Sequence, residues 1–445
     1  MKLSLSQALR VSSSPCIAFI GSGGKTTAMF QLARELPQPV IVTATSHLGT
    51  WQTGLADRHI IADTSTVLDG LEHGLNGVIL ITGRIDGERT QPIHAELLNR
   101  LQQFCGYHAM PMLIEADGSR GKPLKAWAEH EPPIPSFVDL VVQVVGLSGV
   151  AKPLTAEYVH RAEIFSRLSG LHLEQTITPE ALVQVLGHRE GAPRKFPPQA
   201  RKIALLNQAD TPGLQSLAQG LSQSLLASYD AVIISSLSQK QIFAVHESVA
   251  GILLAAGEST RYGQPKQLLD WKGQPFVRAA AKTALRAGLS PVMVVTGANA
   301  EQVESAVNDL DVIILRNEHW KTGQAGSIRA GIEFLVKPSS PGTGGAIFLL
   351  ADQPQITTSI LRALLEKHAE ELYPIVAPMV MDRRANPVLF DRATFPDLLT
   401  LEGDVGGRAV FHKHHVEYLP WHDDRLLLDV DTPEMYRRLI TDDSL

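Results

Sequence analysis

Short apolar runs rich in valine and isoleucine recur along the whole chain and alternate with longer stretches of helical character. Many of the runs are apolar at successive positions, which is typical of strands covered by helices on both faces. The first half contains CIAFI, PVIVTA, GVILIT, MPMLIEA, LVVQVVG, KIALLN and DAVIISS, and the second contains VAGILLAA, PVMVVTG, VIILRN, GAIFLLA and YPIVAPMV. The alternation predicts an α/β protein.

The length of the chain and one break in the alternation predict its organisation. The chain has 445 residues, for which about two or three domains are expected. Ala250 to Ala256 looks like the first strand of a new nucleotide-binding fold, so we place a boundary near QKQIFAVHESV and predict domains at 1–245 and 246–445. The stretch at about 160–200 predicts a helical insert. We therefore expect two doubly wound, three-layer α/β domains.

Composition narrows the class of protein. A net charge of −6 and a pI of about 6.2 argue against a nucleic-acid partner. The two cysteines, Cys16 and Cys105, offer no disulfide framework, so a reducing cytoplasm is the expected location. The first residues do not predict a signal peptide, and the apolar runs are far shorter than a membrane span. We expect a cytoplasmic protein with no membrane partner.

The stretch LAAGESTRYGQPK, which follows a predicted strand, has chemistry suited to phosphates. Gly257 lets the backbone turn close to a ligand, and Arg261 and Lys266 bring two cations to the same loop. Its spacing matches neither the G-x-G-x-x-G fingerprint nor a P-loop, which disfavours a nicotinamide site. A basic surface loop is the alternative, but glycines and cations directly after a strand favour a triphosphate cradle.

Two further segments of the second half carry carboxylates. Asp352 follows the predicted strand in IFLLADQPQI, and α/β proteins bind ligands at the carboxyl ends of their strands. Asp429 and Asp431 stand in LLLDVDTPEM. Taken singly, Asp352 suits a helix cap and the other two suit a turn. Together with the glycine loop they predict a Mg²⁺ site, because Mg²⁺ takes oxygen ligands and often only one or two carboxylates.

The ordered motifs LAAGESTRYGQPK, NEHWKTGQAGSIRAG, LLADQP, NPVLF, GDVGGR and DVDTPEM resemble the MobA/MocA family of nucleotidyltransferases over about residues 250–440. LAAG and ADQP resemble its cytidylyl branch, the molybdenum cofactor cytidylyltransferases, more than its guanylyl branch. The resemblance implies a Rossmann-like domain that joins CMP from CTP to the molybdopterin phosphate of the molybdenum cofactor and releases pyrophosphate. Lys266, Arg261, Asp352 and Mg²⁺ would act by positioning and charge neutralisation.

The same resemblance implies where the ligands of the second half bind. The CTP site would comprise Ala255, Ala256, Gly257, Ser259, Arg261, Lys266, Ser327 and Asp352. Asp352 and Asp431 would hold Mg²⁺. The pterin side would be formed by Asn386, Pro387, Gly403 and Asp404.

The stretch FIGSGGKTT in the first half ends like a phosphate-binding loop, although a P-loop would place glycine where Phe19 stands. It lies between a predicted strand and a predicted helix, as a P-loop requires, and its spacing resembles the shortened loop of Mur ligases. Lys25 would reach the β- and γ-phosphates of ATP or GTP, and Thr26 would bind Mg²⁺. A glycine-rich turn is the alternative. The predicted loop comprises Gly21, Ser22, Gly23, Gly24, Lys25, Thr26 and Thr27.

Two other predicted strands of the first half end in polar residues. Glu115 and Asp117, in MLIEADGSRG, suit a Walker B-like position for metal and water. Asn207 and Asp210, in LLNQAD, resemble the N-K-x-D base-reading motif of GTPases. Gln208 replaces the lysine of that motif, so a guanine preference stays open, and an ordinary turn explains the pair about as well.

The set GSGGKTT, VTATSHL, IEADGSRGKPLKAW, KPLTAEYVHRAEIF and LLNQAD resembles the YqeC family over about residues 10–240. The resemblance implies a P-loop NTPase-like accessory domain for selenium-dependent molybdenum hydroxylases, without a defined reaction. His160, Arg161 and Glu163 belong to this signature, and a helix with an exposed charged face is their alternative interpretation.

Three hypotheses for the whole chain follow. The first is a cytidylyltransferase of molybdenum cofactor maturation fused to an NTPase-like accessory domain, with CTP, Mg²⁺ and the molybdenum cofactor as its ligands. The second is a nucleotide-switched chaperone that hands finished cofactor to an apo molybdenum hydroxylase. The third is a nucleotidyltransferase that acts on another phosphorylated substrate.

Overall fold

The structure, a computed structural model, describes residues 3–11, 14–62, 71, 74–258, 262–337, 339–340 and 342–442. The chain divides into two compact units, Met1–His246 and Glu247–Leu445. No helix in the described ranges combines the length and the apolar character that crossing a membrane would demand.

The first unit alternates strands and helices, joined by loops and short 3₁₀ turns. Its strands are β1 (Cys16–Gly21), β2 (Val40–Ala44), β3 (Arg58–Ile61), β4 (Val78–Thr82), β5 (Ile85–Asp86), β6 (Arg89–Thr90), β7 (Met112–Glu115), β8 (Leu124–Lys125), β9 (Leu140–Gly146), β10 (Val159–His160), β11 (Arg201–Asn207), β12 (Ala231–Ser236) and β13 (Gln241–Glu247). Its helices are α1 (Leu5–Leu9), α2 (Lys25–Glu35), α3 (Ala95–Tyr107), α4 (Ala162–Ser169), α5 (Pro179–Gly187) and α6 (Pro212–Leu225).

Nine of these strands form one sheet, in the order β13-β12-β11-β9-β1-β7-β2-β4-β3. Every neighbouring pair from β12 to β3 is parallel. The central strands β1, β7 and β9 are buried along their whole length, as expected for strands covered on both faces. Because the strands are parallel, the segments that follow β1, β7, β9 and β11 meet at one edge of the sheet.

Two parts of the first unit depart from regular strand–helix alternation. The stretch QKQIFAVHESV, where the domain boundary is predicted, contains the edge strand β13, which the apolar runs do not predict. The stretch predicted as a helical insert contains α4 and α5. Helix α5 begins as its sequence indicates, because the Thr178 side chain accepts a hydrogen bond from the backbone N–H of Ala181.

The second unit is also built from strands and helices. Its strands are β14 (Val249–Ala255), β15 (Asp270–Trp271), β16 (Gln274–Pro275), β17 (Val292–Thr296), β18 (Ile313–Arg316), β19 (Gly345–Leu350), β20 (Ile375–Val380), β21 (Arg383–Arg384), β22 (Val388–Asp391) and β23 (Val416–Pro420). Its helices are α7 (Phe276–Arg286), α8 (Ala300–Ser305), α9 (Gln324–Leu335), α10 (Thr358–Glu371), α11 (Phe395–Leu398) and α12 (Pro433–Asp442).

The sheet of the second unit is mixed. Its order is β18-β17-β14-β19-β22-β20-β21, and β23 pairs with β20. Strand β22 is antiparallel to both β19 and β20, whereas β14 is parallel to β17 and β19. Leu253 of β14 packs in one core with α7 and α10, and Ile252 packs in a second core with α9 and α11. The unit therefore has three layers, with helices on both faces of the sheet.

Candidate active site

A cavity of about 680 Å³ lies at the carboxyl ends of β14 and β19 in the second unit. These strands are paired with Leu254 beside Leu350, so the turn at Gly257 and the residue Asp352 follow at the same edge. The cavity brings together much of the predicted nucleotide and metal site: Ala256, Gly257, Lys266, Ser327, Asp352 and Asp431 all line it. Ser259 and Arg261 lie outside the described residues, and Ala255 ends β14.

The ammonium group of Lys266 lies between two carboxylates of this cavity. Its Nζ atom is 2.9 Å from Oδ2 of Asp352 and 2.9 Å from Oδ1 of Asp431. Partial burial disfavours the charged lysine, but the two carboxylates outweigh that effect and raise the pKa of Lys266. The site therefore joins a cation and two anions from segments far apart in the sequence.

Asp429 lies behind this group rather than in the cavity wall. Its Oδ1 accepts a hydrogen bond of 2.6 Å from Nε2 of Gln353. Burial raises the pKa of Asp429, and the charges of Asp352 and Asp431 raise it further, while the bond from Gln353 opposes the change. Gln353 is thus a supporting residue that sequence reasoning missed, although it belongs to the quoted motif LLADQP.

The carboxylates fit a Mg²⁺ ion bound mainly by ligand oxygens. Asp352 and Asp431 approach one another closely enough to share a single ammonium group. Within the described ranges, no cluster of three or more histidine, cysteine, aspartate or glutamate side chains suits a metal. Mg²⁺ commonly binds through one or two carboxylates, with water and phosphate oxygens as its other ligands, so two carboxylates are a sufficient protein contribution.

The segment that begins α9 forms another wall of the cavity. Gly323 has a φ of +111°, and a Cβ atom there would lie 2.4 Å from the carbonyl oxygen of Gly403. Only glycine therefore allows the segments around residues 323 and 403 to approach this closely. Asp404 accepts a hydrogen bond of 3.3 Å from the N–H of Gln324. Ser327, predicted near the nucleotide, accepts one of 3.1 Å from Asn317. Asp404, predicted on the pterin side, lines this same cavity.

Asn386 lies in a neighbouring cavity of about 320 Å³. Its wall is largely apolar and also contains Arg408. The two cavities share Leu254, Gln324 and Leu350, so they adjoin. Of the residues predicted on the pterin side, Asn386 therefore lines one pocket and Asp404 the other. Pro387 follows Asn386 in the chain, and the carbonyl oxygen of Gly403 accepts a hydrogen bond from the N–H of Ala325.

The first unit has its own cavity, of about 1280 Å³, at the carboxyl edge of its sheet. The predicted loop residues Gly23, Gly24, Lys25, Thr26 and Thr27 line it. Gly23 and Gly24 have φ values of +78° and +127°, which glycine adopts readily. Helix α2 begins at Lys25, so the backbone N–H groups of its first turn are available to an anion.

Lys25 is buried beneath the loop, with a side chain only 4% exposed. Its Nζ donates to the carbonyl oxygen of Gly21 at 2.8 Å and lies 3.3 Å from Oδ1 of Asp117. Asp117 also accepts hydrogen bonds from the N–H of Gly21 at 3.1 and 3.0 Å and from the Trp127 indole at 2.8 Å, and Lys125 lies 3.1 Å away. Its carboxylate is fully used within the protein and does not line the cavity.

Glu115 lines the cavity of the first unit, unlike Asp117. It accepts a hydrogen bond of 2.9 Å from the Thr26 hydroxyl. Burial raises the pKa of Glu115, and the nearby Lys25 partly offsets that effect. The Thr26 oxygen also accepts a bond of 2.7 Å from Gln52. Gln52 carries no sequence signal that would have identified it.

Asn207 supports the glycine loop through side-chain hydrogen bonds. Its Nδ2 donates to the carbonyl oxygen of Gly23 at 2.7 Å, and its Oδ1 accepts from the N–H of Leu237 at 3.0 Å. Asp210 accepts a hydrogen bond from Ser236. Of the LLNQAD motif, Gln208 is the residue that lines the cavity. The two residues compared with a base-reading motif are therefore engaged by the protein itself.

A three-layer α/β unit with a glycine turn, a lysine and two carboxylates at its strand ends defines the second unit as a nucleotidyltransferase. The chain belongs to two families. Residues 251–418 match the MobA-like NTP transferase domain, and residues 17–163 match the YqeC protein family.

Three relatives illustrate these similarities. YqeC of Escherichia coli (strain K12) is 30% identical over 199 residues, which are 43% of this chain and 75% of that protein. Nicotine blue oxidoreductase of Paenarthrobacter nicotinovorans is 31% identical over 201 residues, 43% of this chain and 96% of that protein. A probable molybdenum cofactor guanylyltransferase of Bacillus mycoides (strain KBAB4) is 25% identical over 135 residues, 30% of this chain and 64% of that protein.

Proposed function

We propose that the second unit transfers CMP from CTP to the molybdopterin phosphate of the molybdenum cofactor and releases pyrophosphate. One observation carries the proposal: Lys266 is held by Asp352 and Asp431 in a cavity at the strand ends. The volume of this cavity, about 680 Å³, lies within the range of roughly 300–1,000 Å³ that small-molecule sites have. The choice of CTP and of this acceptor rests on the LAAG and ADQP motifs.

The chemistry needs charge neutralisation more than proton transfer. A phosphate oxygen of the acceptor bonds to the α-phosphorus of CTP, and the bond from that phosphorus to the leaving pyrophosphate breaks. Both reactants are anions, so Lys266 favours their approach and stabilises the leaving pyrophosphate. The Gly257 turn allows close approach of the backbone. Mg²⁺ held by Asp352 and Asp431 would supply further neutralisation of phosphate charge.

The test is pyrophosphate release by the full chain with Mg²⁺ and molybdenum-loaded molybdopterin. CTP should support release, whereas GTP should support little. Asp352→Asn should abolish it, because one of the two metal-binding carboxylates is lost, while Asp311→Asn, at an exposed position of the same unit, should leave it unchanged. Release that requires GTP or a different phosphorylated acceptor would reject the substrate assignment. Chelation with EDTA should stop the reaction, and Mg²⁺ should restore it.

For the first unit we propose nucleotide binding by the loop from Gly21 to Thr27, with ATP or GTP as the ligand. The backbone conformation of Gly23 and Gly24 and the start of α2 at Lys25 support this role. Thr26 would contribute to a Mg²⁺ site beside Glu115. Calorimetry on the full chain with ATP, GTP and CTP tests it. Lys25→Met should remove ATP or GTP binding and leave CTP binding by the second unit intact.

We also propose that both units serve one maturation pathway of a molybdenum hydroxylase, selenium-dependent if the YqeC resemblance extends to function. The presence of both families in one chain supports a shared pathway. Co-purification with an apo-hydroxylase in the presence of nucleotide tests it. Equal capture of an unrelated apo-enzyme would contradict it.

A further inference from the structure

The cavity of the first unit extends well beyond the glycine loop. Its volume of about 1280 Å³ exceeds the roughly 300–1,000 Å³ of ordinary small-molecule pockets. The loop and Glu115 account for one side of it. The rest includes the cationic side chains of Arg89, Arg120, Lys122 and Arg161, together with the imidazoles of His47 and His160.

Most of this positive charge is not neutralised by the protein. Within the described ranges, the side chains of Arg89, Arg120 and Lys122 form no hydrogen bond or ion pair. Three carboxylates share the cavity wall: Glu88, Glu115 and Glu131. Glu115 is bound by Thr26 beside Lys25, and Glu131 is bound by Lys125 and Arg161. Among the residues that the structure describes, Glu88 is therefore the one carboxylate of this wall left to balance the three cations Arg89, Arg120 and Lys122.

A chain of alternating charges fixes this basic wall relative to the glycine loop. Asp117 lies 3.3 Å from Lys25 and 3.1 Å from Lys125. Glu131 lies 3.5 Å from Lys125 and 3.0 Å from Arg161. The Lys125 and Asp117 side chains are wholly buried. Arg161 is thus held at a set position, at the other end of this chain of charges from Lys25.

The backbone brings the basic residues together. Strand β10 pairs with β8, which places His160 beside Lys125, and the carbonyl oxygen of His160 accepts a hydrogen bond of 3.0 Å from Ala126. Arg120 and Arg161 have φ values of +51° and +67°, a conformation that is uncommon outside glycine and recurs at ligand sites. The Nε atom of Arg161 is buried and has no acceptor among the described residues.

We propose that Arg120, Lys122, His160 and Arg161 form a second substrate site, which binds a phosphorylated acceptor opposite the nucleotide. The first unit is then a two-substrate enzyme rather than a simple nucleotide hydrolase. The guanidinium of Arg120 and the ammonium of Lys122, which form no ion pair within the described ranges, suit the oxygens of a phosphate ester. The inference rests on the proposal that the glycine loop binds a nucleotide.

Hydrogen–deuterium exchange on the full chain, with inorganic phosphate as the probe, tests the site. Phosphate should protect the segments 118–122 and 158–161, both without nucleotide and with AMPPNP or GMPPNP at saturation. Arg120→Gln combined with Lys122→Gln should weaken this protection roughly tenfold or more in phosphate concentration, because charge-assisted hydrogen bonds are lost. Lys195→Gln, at an exposed lysine of the same unit, should change nothing.

The outcomes separate this inference from nucleotide binding. If AMPPNP and GMPPNP both abolish the protection by phosphate, phosphate had bound in the glycine loop and the second site is rejected. Equal protection in the double variant and the wild type also rejects it. Lys25→Met should lose nucleotide protection of residues 21–27. If neither nucleotide protects the loop, nucleotide binding is rejected. Protection of segments 118–122 and 158–161 by phosphate alone would still decide whether the basic wall binds an anion.

Discussion

Both units place a lysine among carboxylates at the carboxyl ends of their strands, but the two lysines have opposite surroundings. The side chains of Lys25 and Asp117 are 4% and 0% exposed, whereas those of Lys266 and Asp431 are 15% and 47% exposed. A buried pair cannot lose one partner without leaving an uncompensated charge, while an accessible pair exchanges partners at little cost. The first arrangement is therefore suited to holding a loop in shape, and the second to exchanging protein carboxylates for ligand charges.

The largest expected effect is on stability, in the first unit. Asp117→Asn should lower the free energy of unfolding of that unit by roughly 3–5 kcal/mol, because Lys25 and Lys125 would remain buried without their shared anion. Urea unfolding, monitored by hydrogen exchange in β1 and β7, measures this loss of stability. Glu129→Gln, which alters an exposed carboxylate of the same unit, is the control. A loss no larger than the control's would mean that the network is dispensable.

Lys266→Met should affect activity rather than stability. Turnover should fall by roughly 10²–10³-fold, as when one charge-stabilising group is removed from an active site. The free energy of unfolding should change by only about 0–1 kcal/mol, because the ion pairs are accessible to solvent. Pyrophosphate release and urea unfolding on the same preparation check both values, with Lys337→Met as an exposed control. Full activity in Lys266→Met would remove this lysine from the reaction.

Asn207→Ala separates loop support from base recognition. If Asn207 only supports Gly23, its loss should weaken ATP and GTP binding equally, by roughly tenfold, because one buried hydrogen-bond network is broken. Titration with fluorescent ATP and GTP analogues measures the two affinities, and Asn99→Ala on the exposed face of α3 is the matched control. A change in the ratio of the two affinities would instead indicate that Asn207 reads the base.

The smallest effect concerns His160. Burial, and then the charges of Lys125 and Arg161, lower its pKa from 6.5 to about 4, with Arg120 acting in the same direction and Glu131 opposing. As pH falls from about 6.5 to 4, the unfolded imidazole takes up a proton that the folded one does not, so stability should decline slightly. An NMR titration of the histidine rings should show one resonance that titrates near pH 4. This resonance should be absent from the spectrum of His160→Gln. Its presence in that variant, or its loss in His94→Gln, would contradict the assignment.

The main strands were predictable because successive apolar residues leave few alternatives for a segment buried on both faces. The direction of each strand was not predictable, because an apolar run such as PVLF is compatible with either orientation. In the structure, β22, which contains this run from Val388 on, is antiparallel to β19 and β20. The lysine and carboxylates of the second unit were also predictable, since each stands in a recognisable motif. The roles of Asp117 and Asn207 were not, because their partners in the glycine loop lie 96 and 184 residues away in the sequence.

That long-range support limits how the glycine loop can be engineered. Asp117 binds the N–H of Gly21, and the Asn207 amide binds the carbonyl oxygen of Gly23. A transplant of FIGSGGKTT into another α/β scaffold would carry the glycines and the lysine but neither of these partners. The grafted segment would therefore need an acid after the strand beside its own and an amide at the end of a strand two positions away on the other side before it could adopt the same shape.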